Sequence, residues 1–190
     1  MILYVHGFNS SPASHKSGQL RERLRQLGRE TEFRCPPLSH RPAEAMATLE
    51  REIVRAGGGS VTLVGSSLGG FYSTWLTEKH GCRTVLVNPA IAPHVGLRAF
   101  LGLQRNLYTG QEYTLTETHL AQLAALYVPR IDRPDCYLLL QTTGDELLDW
   151  RETVQRYAGC RQVVVDGGDH GFGQFDQYLD IVLEFAGAGL

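Results

Sequence analysis

The segment 61–71, VTLVGSSLGGF, constrains this chain more than any other. Its apolar first half reads as a short buried strand, and the residues from Leu68 onward read as the start of a helix. Between them Gly65, Ser67 and Gly69 make G-x-S-x-G. That is the spacing of a nucleophile elbow, in which a serine sits on a sharp strand-to-helix turn. The glycines answer a steric demand: the serine backbone is strained, and side chains two residues either side would collide with the turn. A five-residue pattern is weak evidence in a chain with 21 glycines. Its weight comes from what surrounds it.

A length of 190 residues suggests one domain with a sizeable core. A hydrophobic content of 43% and a charged content of 20% are those of an ordinary globular protein. The net charge of −2 gives no electrostatic case for nucleic acid or an anionic membrane. No apolar run approaches the roughly 20 residues that span a bilayer. Met1 leads straight into ILYV, and His6-Gly7 ends that stretch too early for a signal peptide. The expectation is a cytoplasmic protein whose fold starts at residue 2. Cys35, Cys82, Cys136 and Cys160 form no C-x-x-C and have no zinc spacing, so buried free thiols are expected.

Strands are predicted at 2–5, 32–35, 61–65, 83–88, 136–141 and 161–165. Most are continuous apolar runs rather than alternations, which fits a parallel sheet covered on both faces. Helical patterns lie between them. Leu20, Leu24 and Leu27 line one helix, which Gly28 stops. Pro42 opens the next, with Met46, Leu49, Ile53 and Val54 on its apolar side and Gly57-Gly58-Gly59 at its end. The elbow helix runs from 68 to about 79, and two more cover about 150–157 and 175–185. Alternating strands and helices predict a doubly wound α/β sheet, with its ligand site at the carboxyl ends of the strands. The terminal AGAGL reads as a frayed tail.

More than forty residues separate Asn88 from Cys136, far more than a plain crossover needs. Within them Thr114-x-x-Glu117 reads as a capping box for a helix with Leu120, Leu123, Ala124 and Tyr127 on one face. A small cap at about 91–132, carrying Phe100, Tyr108 and Tyr113, is preferred over a longer surface excursion.

Ser67 is the candidate nucleophile, and a serine hydroxyl needs a base. His170, in the loop GGDHG directly after the last strand, is the candidate base, free to swing over the rim. Asp145, just past the fifth strand, is the candidate orienting carboxylate. Glu146 and Asp149 are its rivals, but Glu146 should point elsewhere and Asp149 should cap the next helix. The chain order Ser, Asp, His is that of α/β-hydrolases. Backbone N–H groups of Leu68 and Phe8 are the candidate oxyanion donors. His6 is read as structural, bonded to backbone, and Asp169 as a turn former. The basic stretch Arg21, Arg23, Arg25 and Arg29 is read as a solvated face. Aromatic and leucine content suggests an apolar acyl pocket.

The segments YVHGFNSSPASHKSGQL, VGSSLGGFYSTWL, VLVNPAI, LLLQTTGDELLDWR and GGDHGF resemble those of the small bacterial YqiA/YcfP-type esterases of the α/β-hydrolase superfamily. The likeness runs along essentially the whole chain, NLYTGQEYTLTETHL included. It implies a compact fold with a six-stranded, mainly parallel sheet. It also implies carboxylic-ester hydrolysis by Ser67, Asp145 and His170 without a cofactor or metal. The expected partner is a small-molecule ester, with no nucleic acid and no membrane insertion. Monomer and homodimer are both compatible with the sequence. Thioester or amide hydrolysis, or acyl transfer, would use the same residues. A hydrolase-fold interaction protein with a vestigial site is the rival outside catalysis.

Overall fold

The apolar runs at the centre of the sheet become parallel strands because almost every one of their residues is buried, whereas the edge run 161–165 stays half-exposed. The structure, a computed structural model, describes residues 1–57 and 60–187. Among them the strands are β1 (Ile2–Val5), β2 (Phe33–Arg34), β3 (Thr62–Ser66), β4 (Arg83–Val87), β5 (Gly102–Arg105), β6 (Glu112–Leu115), β7 (Tyr137–Thr142) and β8 (Arg161–Val165). Six make one sheet in the order β2-β1-β3-β4-β7-β8, every neighbouring pair parallel. The helices are α1 (His15–Gln26), α2 (Pro42–Arg55), α3 (Leu68–His80), α4 (Pro93–Gly96), α5 (Glu117–Ala125), α6 (Trp150–Arg156) and α7 (Leu179–Phe185).

Period-two alternation divides each strand between two cores. Tyr4, Val64, Val85 and Leu138 pack with Leu20 and Leu24 of α1 and Val182 and Leu183 of α7. Leu3, Val5 and Leu63 face the other way, onto Leu49 of α2, Phe71 and Leu76 of α3, and Leu120 of α5. Farther along that second face, Leu86 and Leu139 meet Tyr157 beside α6. None of these helices is long and apolar enough to cross a membrane.

Several expectations shift. The second strand shrinks to Phe33–Arg34, because a 3-10 turn takes Glu30–Glu32. Val54 is 71% exposed rather than on the apolar side of α2. It follows the buried Ile53 by one residue, which is 100° around a helix. Helix α2 ends at Arg55; Gly58 and Gly59 lie outside the described residues, as do 188–190 of the expected tail. Cys82 is buried, whereas Cys35, Cys136 and Cys160 are only half-buried, and none of the four is in a disulfide. The arginines of the basic stretch pair with carboxylates at the surface, Arg21 with Glu30 and Arg23 with Asp180 among them.

The long excursion between β4 and β7 holds α4, a hairpin of β5 and β6, and α5. Strand β6 absorbs Thr114, so α5 is capped at Thr116 instead. There the Thr116 N–H donates to His119 Nδ1 at 2.9 Å. Leu120 and Leu123 are buried, but Ala124 is exposed, and Tyr127 lies beyond the end of the helix at Ala125 and faces out. The hairpin rests on the loop after β1. Tyr113 Oη donates to Asn9 Oδ1 at 2.7 Å, Asn106 Nδ2 to the Ser10 carbonyl at 2.8 Å, and the Leu107 N–H to the Asn9 carbonyl at 3.0 Å.

Candidate active site

The turn between β3 and α3 is built by exclusion of side chains. Ser67 has φ 54 and ψ −119, a conformation that L-residues rarely adopt. A Cβ on Gly69 would lie 1.9 Å from the Val5 carbonyl oxygen, and one on Gly65 would lie 2.5 Å from the Gly69 oxygen. Only hydrogen fits at either place, so β1, β3 and α3 close up and hold Ser67 at the rim. The Ser67 N–H donates to the Val87 carbonyl at 3.1 Å, and its carbonyl accepts from the Ala90 N–H at 3.1 Å.

The loops after β7 and β8 then bring the two other predicted side chains to the serine. They run together because Gly144 leaves room for Gly168; a Cβ there would stand 2.3 Å from the Gly168 oxygen. His170 Nε2 lies 2.9 Å from Ser67 Oγ. Its Nδ1 lies 2.9 Å from Asp145 Oδ2 and 3.0 Å from Oδ1. The Asp145 side chain is fully buried, and that of His170 is 16% exposed. Burial pushes the Asp145 carboxyl up. The hydrogen bond and charge of His170, with the N–H groups of Leu148 and Leu147, outweigh it and hold the carboxyl below its usual value. Neither rival touches the imidazole by hydrogen bond. Asp149 caps α6 through the Arg151 N–H, and Glu146 accepts the backbone N–H of His170 at 2.9 Å.

The loop that carries His170 over the rim is held by hydrogen bonds from several sides. Asn88 is fully buried, at φ 42, directly after β4. Its Nδ2 lies 3.0 Å from the Asp169 carbonyl and 3.1 Å from that of His170, while its Oδ1 accepts the Thr142 N–H at 2.9 Å. Thr142 Oγ1 donates to the same Asp169 carbonyl at 2.9 Å. Lys16 Nζ, from the first turn of α1, donates to the Gly171 carbonyl. Asp169 Oδ1 accepts the Gly173 N–H at 3.3 Å and shapes the turn. Sequence reasoning missed Asn88, Thr142 and Lys16 as supports. The available signal was an asparagine at a strand end, since asparagine tolerates positive φ and a buried carboxamide demands partners.

The loop after β1 passes beside the elbow. A Cβ on Gly7 would lie 3.3 Å from Ser67 Cβ and 3.9 Å from the Leu68 nitrogen. Leu68 is the first residue of α3, where N–H groups lack helical partners. His6 is structural: Nδ1–H donates to the Gly7 carbonyl at 3.2 Å and Nε2 accepts the Leu38 N–H at 3.1 Å. Burial lowers its pKa and keeps it neutral, despite the bond to Gly7. Beside Phe8 and Leu68 opens a pocket of about 310 Å³. Its walls are mainly polar, including His40, Arg41, Glu44, Gln111 and Tyr113. Apolar groups on the excursion, such as Leu103 and Leu107, lie instead on its outer surface. Among the described residues no group of three or more His, Cys, Asp or Glu side chains could hold a metal ion.

Solved structures share this architecture. Alpha/beta hydrolase domain-containing protein 10 from mouse superposes with a TM-score of 0.70 at 15% identity, over 96% of this chain and 89% of its own. A metagenome-derived lipolytic enzyme, described in work on LipS and LipT, gives 0.67 at 18% identity, over 99% and 93%. Est1E from Butyrivibrio proteoclasticus gives 0.66 at 15% identity, over 97% and 84%. At these identities the likeness establishes the α/β-hydrolase fold. The model of one family matches residues 1–187, and the chain belongs to that family, the uncharacterised protein family UPF0227.

Proposed function

We propose that the protein is a serine hydrolase of small carboxylic esters. The reading rests on the unbroken hydrogen-bonded chain from Ser67 Oγ through His170 to the buried Asp145. Ser67 Oγ attacks the ester carbonyl and His170 Nε2 takes its proton. Asp145 holds the imidazole with Nδ1 protonated and stabilises the imidazolium that forms. Negative charge on the carbonyl oxygen rests on the Phe8 and Leu68 N–H groups. The tetrahedral intermediate expels the alcohol, which leaves with the proton from His170. Water, deprotonated by His170, then attacks the acyl-enzyme and frees the acid, and Ser67 recovers its proton. No cofactor is required. In this reading the excursion is a cap over the site, tied to the oxyanion loop through Asn9.

A fluorophosphonate probe tests the nucleophile, read by intact mass. One adduct on the wild type and none on Ser67→Ala is expected, with ester turnover of the variant lower by at least about 10⁴-fold. Absence of an adduct on folded wild type would favour the non-catalytic rival.

A further inference from the structure

We propose that the pocket beside Phe8 and Leu68 receives the acyl part of the ester, and that this part is a short, uncharged chain bearing a hydroxyl or carbonyl group. The inference rests on the esterase reading and names its substrate class.

The direction follows from the leaving group. The alcohol oxygen must face His170 Nε2 to collect a proton, and the carbonyl oxygen must face the two N–H groups. The pocket walls include Phe8 and Leu68 but not His170. The acyl substituent is therefore the one directed into the pocket.

The polarity follows from which groups there lack partners. Tyr72 is 3% exposed and lines the pocket, yet its hydroxyl has no hydrogen-bond partner among the described residues. That hydroxyl opens onto the cavity rather than being sealed off, so a ligand that displaces its water must supply a hydrogen bond in return or lose affinity. Neither ring nitrogen of His40 and no carboxamide atom of Gln111 has a partner there either. The other polar walls are occupied: Tyr113 by Asn9, Asn106 by the Ser10 carbonyl, and Ser39 by Glu44. His40 stacks on Tyr113 with ring centroids 4.2 Å apart, which fixes its plane. Burial, then the charge of Arg41, lowers its pKa against the pull of Glu44, so it offers one donor and one acceptor as a neutral ring.

The charge of the ligand follows from Arg41 and Glu44, which pair at 2.9 Å. Together they leave the wall without net charge, so an anionic or cationic acyl chain finds no counterion. A plain alkyl chain would strip water from the Tyr72 hydroxyl and from His40 without replacing its hydrogen bonds. A hydroxyl or carbonyl a few bonds beyond the scissile carbon satisfies them.

The test reads occupancy without turnover. The full chain carrying Ser67→Ala is titrated calorimetrically with 3-hydroxybutyramide and with butyramide, two neutral mimics of the acyl part. The hydroxylated amide should bind about tenfold more tightly, the equivalent of one hydrogen bond. Adding Tyr72→Phe should abolish that preference. Adding Gln111→Ala, at an exposed position that does not threaten the fold, should reduce it. Equal affinities, binding of neither amide, or a preference that survives both additions would overturn the proposal. Paired 4-nitrophenyl esters on the active protein supply the second readout, with the same preference expected in kcat/KM. Hydrolysis of neither ester together with no fluorophosphonate adduct would reject the esterase reading, while the amide titration still decides what the pocket binds.

Discussion

The two sides of Ser67 differ in how completely their polar groups are satisfied. On the His170 side, Asn88, Thr142, Lys16 and Glu146 hold the loop backbone, and Asp145 holds the ring. On the Phe8 side, Tyr72, His40 and Gln111 face a pocket with hydrogen-bonding capacity unused. A group that transfers the same proton for every substrate gains from being preorganised. A group that recognises a substrate must keep its hydrogen bonds for the ligand. The contrast separates a part that sets the chemistry from a part that sets the choice of substrate.

Three perturbations test that separation. The largest effect belongs to Asp145→Asn. It preserves shape and the N–H contacts of Leu147 and Leu148, but removes the charge that stabilises the imidazolium and the acceptor that fixes the tautomer. A fall of about 10³–10⁴ in kcat is expected on any ester, with the circular dichroism spectrum unchanged. An intermediate effect belongs to Asn88→Ala, which strips partners from the Thr142 N–H and the His170 carbonyl. Urea denaturation should show a loss of about 2–4 kcal/mol. Turnover should fall by about 10- to 100-fold through kcat rather than KM, as expected of a displaced base. This variant should slow hydroxylated and plain acyl esters by the same factor and leave their ratio intact. A changed ratio would mean that the two sides are not separable.

The smallest effect is on acid stability. The Asp145 carboxyl is held below its ordinary value of 3.8, so the stability it contributes is present above that pH. That contribution is lost as the pH falls through the lowered value. Wild type should therefore lose unfolding free energy below pH 3.8 more steeply than Asp145→Asn, as measured by urea titrations across that range. Parallel losses in the two proteins would show that Asp145 does not carry this linkage.

Much of the frame was legible in the residues. The strands 61–65 and 83–88 matched β3 and β4 to within one residue at either end, because a continuous apolar run at a parallel-sheet centre admits little else. The elbow was legible because Gly65 and Gly69 answer contacts made within the turn and with the adjacent strand. The excursion was harder. Its hairpin alternates weakly, with Leu103 turned out to solvent and Tyr113 turned in, so the local pattern spoke only for α5. The polarity of the pocket was hidden for a different reason: leucine and aromatic content does not say which side chains face one another.

The residues alone set the order of strands and helices in the main sheet, the strained serine, and an Asp and a His each placed just past a strand. Apolar periodicity and turn sterics act between near neighbours, so they are written locally. Long-range packing settled that Asn88 grips a loop 81 and 82 residues away, that the hairpin ties to Asn9, and that Tyr72 faces a pocket without a protein partner. Hydrogen bonds are short and directional. Which distant groups meet to make them is settled when the sheet brings the strand ends to one rim.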